Sequence, residues 1–137
     1  SGHWTNRTGV WRTRDRGENW ESLNLEKFSD IQYSRGVEIA PNDPNTLYAC
    51  VGLNFGSERG GVMQSNDQGE TWSRFDKGVT PVSTTFGVAI NEHAPEQVYF
   101  CTRKGQVFGT HDGGESWKEH VLPEMAANVK AIACASA

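Results

Sequence analysis

Ser65-Asn66-Asp67-Gln68-Gly69-Glu70-Thr71-Trp72 decides the fold, because nearly every residue in it has a task in one tight chain reversal. An Asp at the head of a turn accepts hydrogen bonds from backbone N–H groups a few residues on, and a Gly two places later takes φ > 0 without a Cβ clash. Ser65 lies two residues before the Asp, on the same side of its strand, and can bond across the reversal. Trp72 opens the outgoing strand and packs over the turn. The string recurs without a gap as Thr13-Arg14-Asp15-Arg16-Gly17-Glu18-Asn19-Trp20 and as Thr110-His111-Asp112-Gly113-Gly114-Glu115-Ser116-Trp117. Asp15 to Asp67 spans 52 residues and Asp67 to Asp112 spans 45, the period of a four-stranded unit of about 40–50 residues.

Working outward, the residues before each box alternate as a strand does: Gly9-Val10-Trp11-Arg12-Thr13, Gly61-Val62-Met63-Gln64-Ser65 and Gln106-Val107-Phe108-Gly109-Thr110. Each box therefore joins a third strand, C, to a fourth, D, that begins at the Trp. Gly36-Val37-Glu38-Ile39-Ala40 matches Gly87-Val88-Ala89-Ile90-Asn91 as strand A, and Thr46–Val51 matches Gln97–Thr102 as strand B. Pro41-Asn42-Asp43-Pro44-Asn45 and Glu92-His93-Ala94-Pro95-Glu96 are the turns between them. The expected fold is all-β, a β-propeller of four-stranded antiparallel blades with about three blades per chain. Blade 1 takes strands B, C and D from 1–28 and strand A from 129–136; blade 2 covers about 34–78 and blade 3 about 85–122. Residues Ser1 to Asn6 align with strand B, and Val129-Lys130-Ala131-Ile132-Ala133-Cys134 with strand A, the strand that blade 1 lacks.

These boxes resemble the Asp-box (bacterial neuraminidase repeat) superfamily, which includes sialidases, sortilin-type receptors, xyloglucan-cleaving glycoside hydrolases and photosystem II assembly factors. The resemblance covers nearly the whole chain. It implies a propeller whose boxes are corners on the outer rim, away from the central site. Asp15, Gly17, Trp20, Asp67, Gly69, Trp72, Asp112, Gly114 and Trp117 are accordingly read as fold residues. Propellers have at least four blades, so closure is expected from association, six blades as a homodimer or another homo-oligomer, or from the remainder of a longer chain.

Composition agrees with many tight turns: 15 Gly and five Trp in 137 residues. A net charge of −4 leaves no basic footprint for nucleic acid. No run approaches the roughly 18 apolar residues of a spanning helix, so membrane insertion is not expected. No secretory leader opens the sequence, and an extracellular or periplasmic location stays compatible with it. Cys50, Cys101 and Cys134 form no Cys-x-x-Cys pair and read as small buried strand residues.

Catalytic signals are sparse. The sialidase-type site implied by the resemblance needs three converging arginines, a Tyr nucleophile with a Glu partner, and an acid/base Asp. Four of the arginines, Arg7, Arg12, Arg14 and Arg16, crowd the first hairpin instead, and no Arg-Ile-Pro string occurs. A glycosidase needs two carboxylates about 5–10 Å apart. Glu38 is the only acidic residue in the A strands, which in a propeller line the channel, and its counterparts are Ala89 and Ala131, which makes it a weak catalytic candidate. His3, His93, His111 and His120 lack metal-ligand spacing, so neither metal nor cofactor is expected. The loops entering the A strands differ between blades while the strands agree, and such loops on a repeated scaffold carry recognition. Tyr33, Arg35, Phe86 and Asn128, with Phe55 and Arg59 from the loop Leu53 to Gly60, are the ligand-binding candidates. The favoured reading is a non-catalytic binding or assembly module presenting channel-mouth loops to a protein or carbohydrate. The alternative is a glycoside hydrolase subunit, sialidase-like or glucanase-like, with its site formed across an oligomer.

Overall fold

The computed structural model describes residues 9–123 and 128–135. Its strands are β1 (Trp11–Arg12), β2 (Glu21–Ser22), β3 (Tyr33–Ala40), β4 (Asp43–Gly52), β5 (Gly60–Ser65), β6 (Ser73–Arg74), β7 (Thr85–Ile90), β8 (Val98–Thr102), β9 (Gln106–Thr110) and β10 (Lys118–Val121). A 3-10 turn at Leu25–Lys27 is the only helical element among the described residues. Strands β3-β4-β5-β6 form one four-stranded sheet and β7-β8-β9-β10 another, every neighbouring pair antiparallel and consecutive in sequence. These are blades 2 and 3. Strands β1 and β2 are the outer hairpin of blade 1. The inner strand expected over residues 1–6 lies outside the described residues.

The boxes close as their residues require. Asp67 Oδ1 accepts from the Thr71 amide and the Ser65 hydroxyl, both at 2.8 Å, and Ser65 Oγ accepts from the Gly69 amide at 2.8 Å. Thr13, Asp15 and Asn19 repeat the pattern, as do Thr110, Asp112 and Ser116. The Thr71 side chain and amide, with Ser65, hold the Asp67 carboxyl down at about 2. Ser116 and Thr110 do the same for Asp112, also at about 2, and Asn19 lowers Asp15. Two successive residues per turn are left-handed, Arg16 and Gly17, Gln68 and Gly69, Gly113 and Gly114, so the position between Asp and Gly shares the strain that the hydrogen bonds hold in place. Trp20 Nε1 donates to Gly17 O at 3.1 Å and Trp72 Nε1 to Gly69 O at 3.0 Å, each indole lying across its own turn.

The core runs between blades rather than within them. On β4, Leu47, Ala49 and Val51 pack with Val10, Leu23 and Leu25 of blade 1 and Ile31 of the link to blade 2, while Tyr48 and Cys50 pack toward Val88, Val98, Phe100 and Phe108 of blade 3. A strand buried on both faces needs apolar residues at every position, which is why Leu47–Val51 has no polar alternation. Phe100 stacks on Phe108 at 4.8 Å and meets Trp117 edge-on at 5.2 Å. Burial pushes the Cys50 thiol well up and raises Cys101 as well; neither forms a disulfide.

Successive A strands lie side by side. A Cβ on Gly36 of β3 would stand 3.3 Å from Phe86 O of β7, and one on Gly87 of β7 would stand 3.1 Å from Ile132 N. The tail segment expected to supply strand A of blade 1 thus lies beside β7, with no ladder partner among the described residues.

Candidate functional site

The candidate site is built by a bulge that both full blades share. On β3, Ser34 pairs with Val51 and Gly36 with Cys50, so Arg35 is left out of the ladder. On β7, Thr85 pairs with Thr102 and Gly87 with Cys101, and Phe86 is left out in the same way. A bulge re-aims the side chain of its extra residue, and here it brings two such residues together. The Arg35 guanidinium carbon lies 5.2 Å from the centre of the Phe86 ring and 5.4 Å from that of Phe55. The two rings lie 5.4 Å apart at 47°. Phe86 is buried at 5% exposure, whereas Phe55 is half-exposed at 49% and forms the open face of the group.

The Phe55 loop is held to blade 3 by Thr84. Its hydroxyl donates to Asn54 O and shares a hydrogen bond of 2.9 Å with Ser57 Oγ, and the Thr84 amide donates to Ser57 O. A Cβ on Gly60 would come within 2.2 Å of Ser83 O, so only glycine permits this approach of loop and strand entry. Arg103, in the turn between β8 and β9, donates its amide to Thr84 O and accepts from the Asn128 amide at 2.9 Å. Its guanidinium carbon lies 6.0 Å from the Phe55 ring centre, and its Nη1 donates to Asn128 Oδ1 at 3.5 Å. Asn128 holds this place in a left-handed conformation with φ 71°. Tyr33 completes the group, its hydroxyl accepting from Arg35 at 3.3 Å.

Five of the six ligand-binding candidates, Tyr33, Arg35, Phe55, Phe86 and Asn128, therefore converge. Arg59 does not join them: it pairs with Asp30 at 2.8 Å. Arg103, which is not among the candidates from sequence, joins them. The signal available was its place in the β8–β9 turn, the counterpart of the Phe55 loop. Glu38 is exposed on β3 and, with Lys130, Phe86 and the backbone of Gly36 and Gly87, lines an adjoining cavity of about 160 Å³. Among the described residues no second carboxylate lines that cavity. Among the described residues no three His, Cys, Asp or Glu side chains gather as a metal set.

Further hollows lie elsewhere among the described residues. One, beside the first box, is lined by Arg12, Arg14 and Glu21, which already satisfy one another, Arg12 bridging Glu21 at 2.8 Å and Glu70 of blade 2 at 2.7 Å. Another is an apolar groove of about 230 Å³ between β1 and β3, walled by Trp11, Val37, Ile39 and Leu47, with Ile39 59% exposed.

Residues 60–136 match the family model described as Sortilin-Vps10 (Sortilin, neurotensin receptor 3). The chain belongs to the Sortilin-Vps10 family. Among curated relatives, this Sortilin-Vps10 chain is 31% identical over 125 residues to a xyloglucanase of Acetivibrio thermocellus, covering 81% of the chain and 15% of that protein. It is 28% identical over 102 residues to a probable oligoxyloglucan-reducing end-specific xyloglucanase of Neosartorya fischeri, covering 69% of the chain and 12% of that protein. The chain thus spans about an eighth to a sixth of the length of the curated relatives it matches. The crystal structure of the GH74 xyloglucanase from Xanthomonas campestris superposes with a TM-score of 0.62 at 17% identity, over 81% of this chain and 17% of that one. The chain is an Asp-box propeller segment related to glycoside hydrolases.

Proposed function

We propose that this chain is a glycan-binding part of a propeller, with Tyr33, Arg35, Phe55, Arg103 and Asn128 as its contact surface and the buried Phe86 ring supporting Arg35. The half-exposed Phe55 ring, flanked by guanidinium and amide groups, carries the reading. A flat apolar face takes the C–H side of a sugar ring, and the surrounding N–H and O–H groups meet its hydroxyls. The likeness to xyloglucanases favours carbohydrate over protein as the ligand and makes a xyloglucan oligosaccharide the first probe. Calorimetric titration tests it. Removing a central aromatic anchor costs about 2 kcal/mol, so Phe55→Ala should weaken binding about 30-fold. Unchanged affinity in that variant would place the contact surface elsewhere.

A second reading, part of a glycoside hydrolase, is favoured by the same relatives and by the place of Glu38 in the cavity beside the mouth. The second carboxylate would come from another part of the ring. Turnover that disappears in Glu38→Gln supports it, and turnover that persists in that variant removes Glu38 from the chemistry.

The open groove between β1 and β3 supports association of blades, with a second copy of the chain completing a six-bladed ring. In that ring the tail beside β7 of one copy supplies the inner strand of blade 1 in the other.

A further inference from the structure

We infer that the channel mouth takes a saccharide carrying a carboxylate, of uronate type, in preference to a neutral one; this rests on the glycan reading above. The arginines of this chain differ in what they meet. Arg12 pairs with Glu21 and Glu70, Arg59 with Asp30, and Arg74 with Asp76. Arg35 and Arg103 meet no carboxylate among the described residues, although both approach the same ring, Phe55. In a chain with 17 acidic residues against 13 basic ones, two guanidiniums on one aromatic ring, without a counter-charge among the described residues, form a local positive site.

The geometry suits a planar anion. Arginine presents a rigid fork of N–H donors that matches the two oxygens of a carboxylate, and stacking over an aromatic ring orients that fork while leaving its edge free. Tyr33 and Asn128 occupy one hydrogen-bond position each on Arg35 and Arg103. Arg103 Nε is buried with no hydrogen-bond partner. The adjoining cavity brings one carboxylate, Glu38, and one ammonium, Lys130, so its charges offset and leave the positive site in place. Phe55 then receives the apolar face of the sugar that bears the acid.

The test compares trigalacturonate, neutral cellotriose and a tri-glutamate peptide by calorimetry on the 137-residue chain. At low salt trigalacturonate should bind about tenfold tighter than cellotriose, equivalent to about 1.4 kcal/mol, and the gap should narrow as salt rises. The double variant Arg35→Gln, Arg103→Gln, with circular dichroism confirming its fold, should close the gap. Equal binding of the two saccharides, or a gap that survives the double substitution, overturns the inference alone. Tri-glutamate bound as tightly as trigalacturonate also overturns it, because the site then reads the acid without the sugar. No binding of any saccharide, xyloglucan included, overturns the glycan reading itself.

Discussion

Replacing the box glycines one at a time by alanine separates the turn's own strain from its role between blades. Gly17, Gly69 and Gly114 have φ of 95°, 92° and 94°, so each alanine pays a similar left-handed backbone cost of about 1–2 kcal/mol. Their surroundings differ. A Cβ on Gly17 would meet nothing nearer than its own Trp20 ring at 4.0 Å, an ordinary contact. A Cβ on Gly69 would lie 2.4 Å from Leu23 Cδ1 of blade 1, and one on Gly114 would lie 2.8 Å from the Phe75 ring of blade 2. Each later box is thus pressed against the preceding blade, and overpacking there adds about 1–3 kcal/mol. Gly17→Ala should therefore cost about 1–2 kcal/mol, and Gly69→Ala and Gly114→Ala about 2–5 kcal/mol each. Urea unfolding measures this as midpoint shifts at constant slope. Leu23→Ala should relieve Gly69→Ala, a coupling of roughly 0.5–3 kcal/mol in the double variant. Three equal costs, or strict additivity with Leu23→Ala, would refute the packing of box on blade.

Phe100→Ala, which removes a fully buried ring from between Phe108 and Trp117, should cost about 3–5 kcal/mol, read as a fall in thermal midpoint. Acid should destabilise the chain in a defined window. Asp67 and Asp112 hold pKa values of about 2 in the fold against 3.8 ordinarily, so the stability they contribute is present above about pH 4 and is lost as pH falls toward 2. Thermal midpoints from pH 5 to pH 2 should drop, and Asp67→Asn with Asp112→Asn should flatten the drop; an undiminished drop in that variant would move the cause to other carboxylates. Light scattering on the purified chain should give twice the chain mass, and a folded monomer would sink the two-copy ring.

The fold was legible because the box encodes a complete local structure. Asp67, Gly69 and the Ser65 hydroxyl satisfy one another within five residues, so no distant partner is needed to recognise the turn. Period-2 matching then found the strands, including β4, whose apolar run over Leu47–Val51 reflects burial on both faces. The residue before the box glycine is also left-handed, without a glycine to mark it in two of the three turns. At Arg16 and Gln68, Asp side-chain acceptance, not residue type, stabilises the conformation.

The mouth was legible only as loops that vary. What assembled it was the bulge, a backbone irregularity with no residue signature, placing Arg35 and Phe86 on one ring stack while Arg59, equally plausible by composition, was drawn to Asp30. Arg103 was hidden for a related reason: its role depends on the Thr84 carbonyl of a strand entry far back in sequence. In a repeat fold the strands repeat because the inter-blade core demands it, and the bulge repeats with them. The residue it extrudes is free of the ladder, and is an exposed Arg in blade 2 and a buried Phe in blade 3. Substituting the exposed one, Arg35, would therefore change recognition at little cost in stability. Arg35→Phe, at the exposed bulge of blade 2, should leave the unfolding free energy within about 1 kcal/mol of wild type while changing glycan affinity, whereas Phe86→Arg puts a guanidinium in a buried site and should cost more than that; equal urea midpoints for the two variants would refute the difference.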